Sequence, residues 1–231
     1  APGVGAPGRG RLRHKSPTTL PKREKRMPLA VPILAMATVV VASNILVQHL
    51  FGQWLTWGAF TYPLAFLVTD LTNRIHGPAA ARRVVLAGFA VGLACSFVGT
   101  RIEGEFGPLV TLRVALASGI AFLAAQMLDV AIFDRLRNGS WWRAPLVSTV
   151  LAASLDTALF FTVAFSAGLA GLEPGNGVAW AIEILPLLGI GPAAPLWMSL
   201  AVADLGVKLA LALVALLPFR WAVARMAARV A

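Results

Sequence analysis

The sequence predicts an all-α integral membrane protein, a six-transmembrane-helix bundle with its N- and C-termini in the cytoplasm. Three observations predict this class. Hydrophobic residues make up 58% of the chain, charged residues 13%, and the mean hydropathy is +0.77, which lies outside the range of soluble globular domains. Six apolar runs can cross a bilayer. Basic residues collect on one side of these runs and orient them.

Residues 1–28 are predicted to form a disordered basic cytoplasmic tail. They mix Gly and Pro with eight Lys and Arg residues and a single acid, Glu24, so they lack the apolar surface that folding requires. The apolar run that follows is about 20 residues long and is not followed by a small-residue cleavage site. We therefore interpret it as a first membrane helix and not as a secretory signal.

The net charge of +10 predicts contact with the lipid bilayer and no nucleic-acid partner. A polybasic segment beside a membrane gains about 1 kcal/mol per Lys or Arg from anionic headgroups. No interleaving of aromatic and basic residues and no nucleic-acid motif accompanies the charge. The single cysteine, Cys95, lies in an apolar run, which excludes an intramolecular disulfide and a cysteine metal cluster.

Each predicted crossing is an apolar run of about 20 residues, some with help from flanking positions. The crossings are residues 29–50, 58–75, 80–99, 112–133, 145–170 and 196–218. Together they form a transport domain over residues 29–221, and residues 222–231 form a basic cytoplasmic C-terminus. The second crossing is the shortest and carries Pro63 in its first turns, so we expect it to bend or to span only in part. Residues 177–191 are too short and too broken by Pro and Gly to cross, and are predicted as an outer interfacial segment.

The distribution of arginine and tryptophan orients these crossings. With the tail inside, the inner loops hold the arginines at 74, 82, 83, 135, 137, 143, 220, 225 and 229. The outer loops hold Arg101 and Arg113 together with four glutamates, at 103, 105, 173 and 183. All seven tryptophans fall at predicted helix ends, where their amphipathic rings prefer the headgroup layer.

Polar residues inside the predicted spans are the candidate functional residues. The substrate-binding candidates are Asn44 on helix 1, Asp70 and Asn73 on helix 2, Gln126 and Asp129 on helix 4, and Asp156 and Phe160 on helix 5. Helix 6 carries Asp204 and Lys208, which are four residues apart and so share a face. An ionisable residue at a helix centre costs about 2.5–3.5 kcal/mol, so these side chains are expected to face inward and to have a function.

Structural roles remain open for the charged candidates. Asp204 and Lys208 can neutralise each other, as a coupling pair or a structural ion pair. Asp70 can reach cytoplasmic headgroups or pair with Arg74 one turn further on, and Asp129 can cap basic loops near the inner helix end. Asp156 has no cation one turn away in its own helix, and we predict that it faces a cavity.

The uncharged candidates have structural alternatives as well. Asn44 and Gln126 can act as interhelical hydrogen-bond glue, and Phe160 can be ordinary packing. No phosphate loop, zinc motif or nucleophile elbow occurs in the chain. No second ligand lies at metal spacing from His49 or His76. The sequence thus predicts no enzyme, no catalytic residue, no metal and no cofactor.

Three parts of the sequence carry a family resemblance. They are "TWGAFTYPLAFLVTDLTNRIHGPAAARRVV", "AQMLDVAIFDRLRNGSWWRAPLVSTVLAASLDTALFFTVAF" and the acid of helix 6 with a lysine four residues later. Together they resemble the queuosine-precursor transporters of the vitamin uptake transporter family, over about residues 30–220. The long basic tail and the outer loop 171–195 depart from that pattern.

The resemblance implies a multi-pass importer in the bacterial inner membrane. Its cargo would be 7-cyano-7-deazaguanine or 7-aminomethyl-7-deazaguanine, for queuosine in tRNA. A guanine-like base presents adjacent N–H donors that a carboxylate can accept. The polar end of helix 2 is then expected to line an aqueous cavity open to the cytoplasm, opposite Asp129 and Asp156.

Two other functions are considered. One is a substrate-binding membrane subunit of an energy-coupling-factor-type vitamin importer, which needs an ATPase partner. Helix 1 lacks the Ala-x-x-x-Ala docking pattern expected for that partner. The other is a membrane-embedded lipid enzyme, for which the acids are too scattered in depth. A homo-oligomer is left open.

Overall fold

The computed structural model describes residues 28–104, 107–172 and 178–228. Seven α-helices occur in these ranges: α1 (Ala30–Leu46), α2 (Gly58–Thr61), α3 (Leu64–His76), α4 (Pro78–Gly99), α5 (Leu112–Leu136), α6 (Arg143–Phe165) and α7 (Leu196–Ala228). The predicted tail 1–28 lies outside the described residues except for Pro28. So do Glu105, Glu173 and the end of the predicted C-terminus, residues 229–231.

Four helices in the described part of the chain are long and apolar enough to cross a membrane. They are α4, α5, α6 and the part of α7 over Leu196–Arg225. Helix α1 is apolar but has 17 residues, and α3 has 13 residues with a polar stripe. The chain is therefore a mostly helical protein with several membrane spans.

The second predicted crossing is broken into two helices. The run predicted over 58–75 forms α2 and α3, with Tyr62 and Pro63 between them. Proline has no N–H to donate to the preceding turn, so the helix restarts at this point. The bend at Pro63 was expected from the sequence.

The other helix bounds shift by a few residues. Helix α1 was predicted to reach residue 50 but ends at Leu46, and a small hairpin follows, with β1 (Leu50–Phe51) paired to β2 (Leu55–Thr56). Gly52, at φ +70°, adopts the left-handed conformation that this turn requires. Helix α6 begins at Arg143 and ends at Phe165, and a 3-10 helix covers part of the range predicted as helical to 170.

The described part of the outer segment 177–191 consists of short pieces. It holds 3-10 helices at Ala179–Ile182 and Leu187–Gly189, and strand β5 (Ile184–Pro186) pairs with β6 (Ala193–Pro195). A further two-residue hairpin, β3 (Glu103–Gly104) with β4 (Gly107–Pro108), connects α4 to α5.

The core is built around an antiparallel pair of helices, α5 and α6, which share the most extensive contact in the fold. A short turn joins them, as in other helical hairpins. Helices α3 and α4 pack against α5, α1 packs against α3 and α4, and α7 packs on α6. Gly77, at φ +85°, is the single residue between α3 and α4. This arrangement brings the inner faces of α3, α5, α6 and α7 together.

Candidate functional site

Three helices turn matching stripes of residues toward one another. Residues three and four apart share a helix face, so each stripe follows directly from sequence spacing. The buried stripes are Phe66, Thr69, Asp70 and Asn73 on α3, Ala125, Gln126, Asp129 and Val130 on α5, and Ser148, Thr149, Ala152, Ala153 and Asp156 on α6. Four of the predicted site residues, Asp70, Asn73, Gln126 and Asp129, lie together at the α3–α5 contact and the nearby face of α6.

Asp70 is held by hydroxyl groups and not by a cation. The hydroxyls of Ser148 and Thr149 on α6 donate to its two oxygens at 3.4 and 3.3 Å. The alternative pairing with Arg74 is wrong, because Arg74 donates to the carbonyl of Arg137 at 2.6 Å. That carbonyl ends α5, where a positive charge is favourable.

Asp129 is completely buried, at 0% exposed. It lies beside Asp70 and Ser148. The Asp129 carboxylate interacts with the Asp70 carboxyl group and the Ser148 hydroxyl, but neither of its oxygens makes a hydrogen bond of standard geometry to any described residue. The alternative that Asp129 caps basic loops is wrong, because no cation contacts it in the described part of the chain. A buried carboxylate without partners is costly, and such exceptions call for an explanation.

Two amide side chains beside Asp129 are also only half satisfied. Thr69 donates to the oxygen of Gln126 at 2.6 Å, and the amide nitrogen of Gln126 has no partner in the described chain. Asn73 donates to the carbonyl of Val130 at 3.1 Å, and its oxygen is left without one. These bonds fix which end of each amide is free. One donor atom, the Gln126 amide nitrogen, and three acceptor atoms, the Asn73 oxygen and both Asp129 oxygens, are therefore buried without a hydrogen bond at the contact between α3 and α5.

The adjoining space is narrow in this conformation. A crevice lined by Phe66, Asp70, Thr149 and Phe219, among others, has a volume of about 10 Å³, which holds about one water molecule. The expected aqueous cavity open to the cytoplasm is therefore a closed crevice in this structure.

Asp156 belongs to a separate group, and the prediction that it faces a cavity is wrong. Its carboxylate accepts from the Lys208 ammonium on α7 at 2.7 Å. Lys208 also contacts Asp204 at 2.5 Å, and the Thr157 hydroxyl donates to Asp204 at 2.8 Å. The cation that Asp156 lacks in its own helix comes from another helix. We name Asp156, Lys208 and Asp204 the ion triad.

The two remaining candidates do not join either group. Asn44 donates to the Val40 carbonyl in its own helix at 2.9 Å and lines a different crevice, between α1, α4 and α5. Phe160 packs edge-on against Phe161 and Phe165 at centroid distances of 5.1 and 5.9 Å. Its role in this structure is packing. No group of three His, Cys, Asp or Glu side chains suited to a metal is found among the described residues.

The sequence analysis missed one buried charge, Arg113, which it placed in an outer loop. Arg113 is the second residue of α5 and is 0% exposed. It donates to the carbonyls of Val163 at 2.7 Å and Ser166 at 2.5 Å, at the end of α6. These carbonyls have no partner within their own helix. A signal was present in the sequence, because Arg113 lies two residues after Thr111, whose side chain caps α5, and is therefore inside the helix.

Comparison with known proteins places this architecture in a family. The model of the putative vitamin uptake transporter family matches residues 56–223. The chain belongs to the vitamin uptake transporter family. The matched range includes Asp70, Asn73, Gln126 and Asp129, which we name the α3–α5 site, and the three residues of the ion triad. It excludes Asn44. No solved structure matches the chain.

Three relatives of the chain carry a functional name, and the chain spans less than two thirds of the first two of them. The chain is 41% identical over 142 residues, 55% of its length, to a queuosine precursor transporter of Escherichia coli, and the match spans 64% of that protein. It is 38% identical over 48% of its length to a probable queuosine precursor transporter of Haemophilus influenzae, spanning 52% of that protein. A probable queuosine precursor transporter of Bacillus subtilis is 30% identical over 77% of this chain and 75% of its own.

Proposed function

We propose that the protein imports a 7-deazaguanine precursor of queuosine across the bacterial inner membrane, without an ATPase subunit. The unused polar atoms of Asn73, Gln126 and Asp129 are the observation that carries this proposal. The names of the relatives support the substrate class. The transport domain is residues 29–221.

The unused atoms match the hydrogen-bonding edge of a guanine-like base. Such a base presents a ring N–H and an exocyclic amine side by side, with a carbonyl oxygen next to them. The Asp129 carboxylate accepts from the two donors in a bidentate, charge-assisted arrangement. The free amide nitrogen of Gln126 donates to the carbonyl, and the Asn73 oxygen accepts a further N–H. Cargo binding thus gives hydrogen-bond partners to the polar atoms of Asn73, Gln126 and Asp129.

Asp70 and Phe66 complete the proposed site. Asp70 supplies a second carboxylate beside Asp129, next to the donor edge of the bound base. Phe66 lies one turn before Asp70 and provides an aromatic face for a flat ring. Base stacking on an aromatic side chain is worth about 1–3 kcal/mol in single-strand binders.

The helix ends support a six-crossing arrangement with both termini inside. Residues 58–76 rise roughly 28 Å as one bent crossing, and α1 rises roughly 26 Å. With these two counted, the connections alternate sides. The α3–α4 and α5–α6 turns and the end of α7 carry exposed arginines at 82, 83, 143, 220 and 225. This basic side faces the cytoplasm under the positive-inside rule.

Restoration of queuosine tests the proposal directly. The full chain is expressed in a bacterial strain that cannot make the deazaguanine, and queuosine in tRNA is measured at low external precursor. We expect the wild type to restore the modification and Asp129→Asn to lose most of the restoration. Asp134→Asn is the matched control on the same helix, because Asp134 is a half-exposed partner of Arg137 and should behave as wild type.

Two outcomes overturn the proposal. One is the absence of queuosine in cells whose membranes contain folded wild-type protein. The other is an Asp129→Asn variant that restores queuosine as efficiently as Asp134→Asn at the lowest precursor concentration.

A further inference from the structure

The ion triad carries a net charge inside the membrane domain. Lys208 contacts the carboxylates of Asp156 and Asp204 at 2.7 and 2.5 Å, and the three side chains are 5%, 5% and 15% exposed. Two carboxylates against one ammonium leave a net charge of −1. The sequence shows a neutral pair on α7, and the structure adds a third member from α6. An uncompensated charge at this depth is costly and indicates a functional role.

The Lys208 ammonium cannot neutralise the remaining negative charge, because all three of its N–H groups are already in use. Its three N–H groups are directed to Asp156, Asp204 and the Thr157 hydroxyl, the last at 3.1 Å. The Thr157 hydroxyl proton is given to Asp204. One oxygen of each carboxylate takes these contacts, and the second oxygen of each takes no part in them. A single proton on one of those second oxygens makes the triad neutral.

The surroundings supply no other compensating charge. Among the residues that the structure describes, the titratable groups interacting with the triad members are the members themselves and Tyr62, between α2 and α3. Tyr62 bonds through its hydroxyl to Ser118 on α5. A tyrosine is neutral at physiological pH and provides no positive charge.

The triad also lies on the same helix face as the proposed cargo site. Asp156 follows Thr149 by seven residues on α6, which is two turns and roughly 10 Å. Phe66 packs between these two levels against Ala125, Ala152 and Ala153. Helix α6 therefore contacts Asp70 of the proposed cargo site through Thr149. It contacts Lys208 on α7 through Asp156. A change of charge at the triad acts on the α6–α7 contact.

We infer that the ion triad binds a transported proton and couples cargo import to the proton gradient. This inference rests on the proposed function. One proton binds from the outer side to Asp156 or Asp204, forms one O–H bond, and neutralises the triad. With cargo bound, the neutral triad is the form in which α6 and α7 move inward, because moving a buried net charge is costly. Release of the proton on the inner side restores the charge, and the cargo-free protein returns with the triad deprotonated, so each cycle carries one proton inward.

Purified full-length protein in liposomes separates coupling from transport. Exchange of labelled for unlabelled 7-aminomethyl-7-deazaguanine at equal pH measures transport alone. Accumulation driven by an acidic exterior measures coupling, with an equal sodium gradient as the control. At one proton per cargo, a gradient of one pH unit supports about tenfold accumulation. The test variant is Asp204→Asn, which leaves Lys208 paired with Asp156 and makes the triad neutral without a proton.

We expect the wild type to exchange and to accumulate about tenfold, and Asp204→Asn to exchange without accumulating. Exchange by the wild type without proton-driven accumulation, or accumulation by Asp204→Asn equal to wild type, overturns the inference and leaves the proposed function intact. Absence of exchange by the wild type overturns the proposed function instead.

A measurement without cargo tests whether the triad binds a proton. Infrared spectra of the protein in alkaline and mildly acidic buffer report protonated carboxyl groups. We expect a carboxyl band in the wild type and in the exposed-site control Asp134→Asn, and loss of that band component in Asp204→Asn. Identical spectra for wild type and Asp204→Asn show that the triad binds no proton and overturn the inference.

Discussion

At the residue scale, Asp129 and Asp156 show how two acids of similar sequence context acquire different environments. Both lie in apolar helices and both are buried. Asp156 receives a cation from α7, whereas Asp129 has no hydrogen-bond partner in the described chain. Functional sites commonly keep such local conflicts at the expense of stability. Asp129 is the clearest instance in this protein.

This difference predicts opposite effects on stability. Asp129→Asn is expected to leave the Tm in detergent unchanged or to raise it, because the amide removes a buried charge that has no partner. Lys208→Met is expected to lower the free energy of unfolding by about 3–5 kcal/mol, because it leaves two buried carboxylates without a cation. Thermal unfolding of both variants checks this. A loss of stability in Asp129→Asn as large as in Lys208→Met would show that the Asp129 carboxylate is satisfied in the fold.

The sequence predicted part of this site for a physical reason. Spacing within one helix determines which residues share a face, so Asp70 with Asn73 and Gln126 with Asp129 were predicted as pairs. Spacing cannot show which face of another helix lies opposite. The Lys208 contact of Asp156 and the hydroxyl contacts of Asp70 were missed for that reason.

At the element scale, α5 and α6 are connected at both ends. The six-residue turn 137–142 joins the helices at one end. At the other end, Arg113 bonds the last carbonyls of α6. An arginine next to a predicted helix start was assigned to the loop from sequence, because its burial depends on contacts with the end of α6.

Removal of the Arg113 hydrogen bonds should destabilise the C-terminal end of α6. Arg113→Met is expected to lower the free energy of unfolding by about 1.5–3 kcal/mol, since hydrogen bonds from a charged group are lost. Hydrogen exchange should become faster in the last turn of α6. Arg101→Met is the matched control, because Arg101 is exposed and lies over the Phe97 ring. Equal stability and exchange in the two variants would contradict a structural role for Arg113.

The helix bounds show the same division between local and tertiary information. Pro63 acts locally, and the break between α2 and α3 was expected from it. The early end of α1 was not expected, because Val47 continues the apolar run. The end of α1 is set by the β1–β2 hairpin, in which the Trp57 N–H donates to the His49 carbonyl. A hydropathy profile does not detect such a contact.

At the scale of the whole molecule, the bundle holds two buried polar levels separated by an apolar layer. The α3–α5 site forms one level and the ion triad the other, with Phe66 and three alanines between them. Composition predicted the membrane domain, and spacing predicted inward-facing acids. The closed crevice depends on how four helices pack, so the sequence could not reveal its small volume.

The central claim is that the Asp129 carboxylate reads the donor edge of a guanine-like cargo. Two ligands test this on the wild type and on Asp129→Asn by equilibrium binding. One is 7-aminomethyl-7-deazaguanine, and the other is the same base without the amine on its six-membered ring. A hydrogen bond to a charged group is worth about 1.5–3 kcal/mol, so the wild type should bind the complete base about 10–150 times more tightly than the analogue. The variant should bind the two almost equally. Discrimination that persists unchanged in Asp129→Asn would contradict the claim.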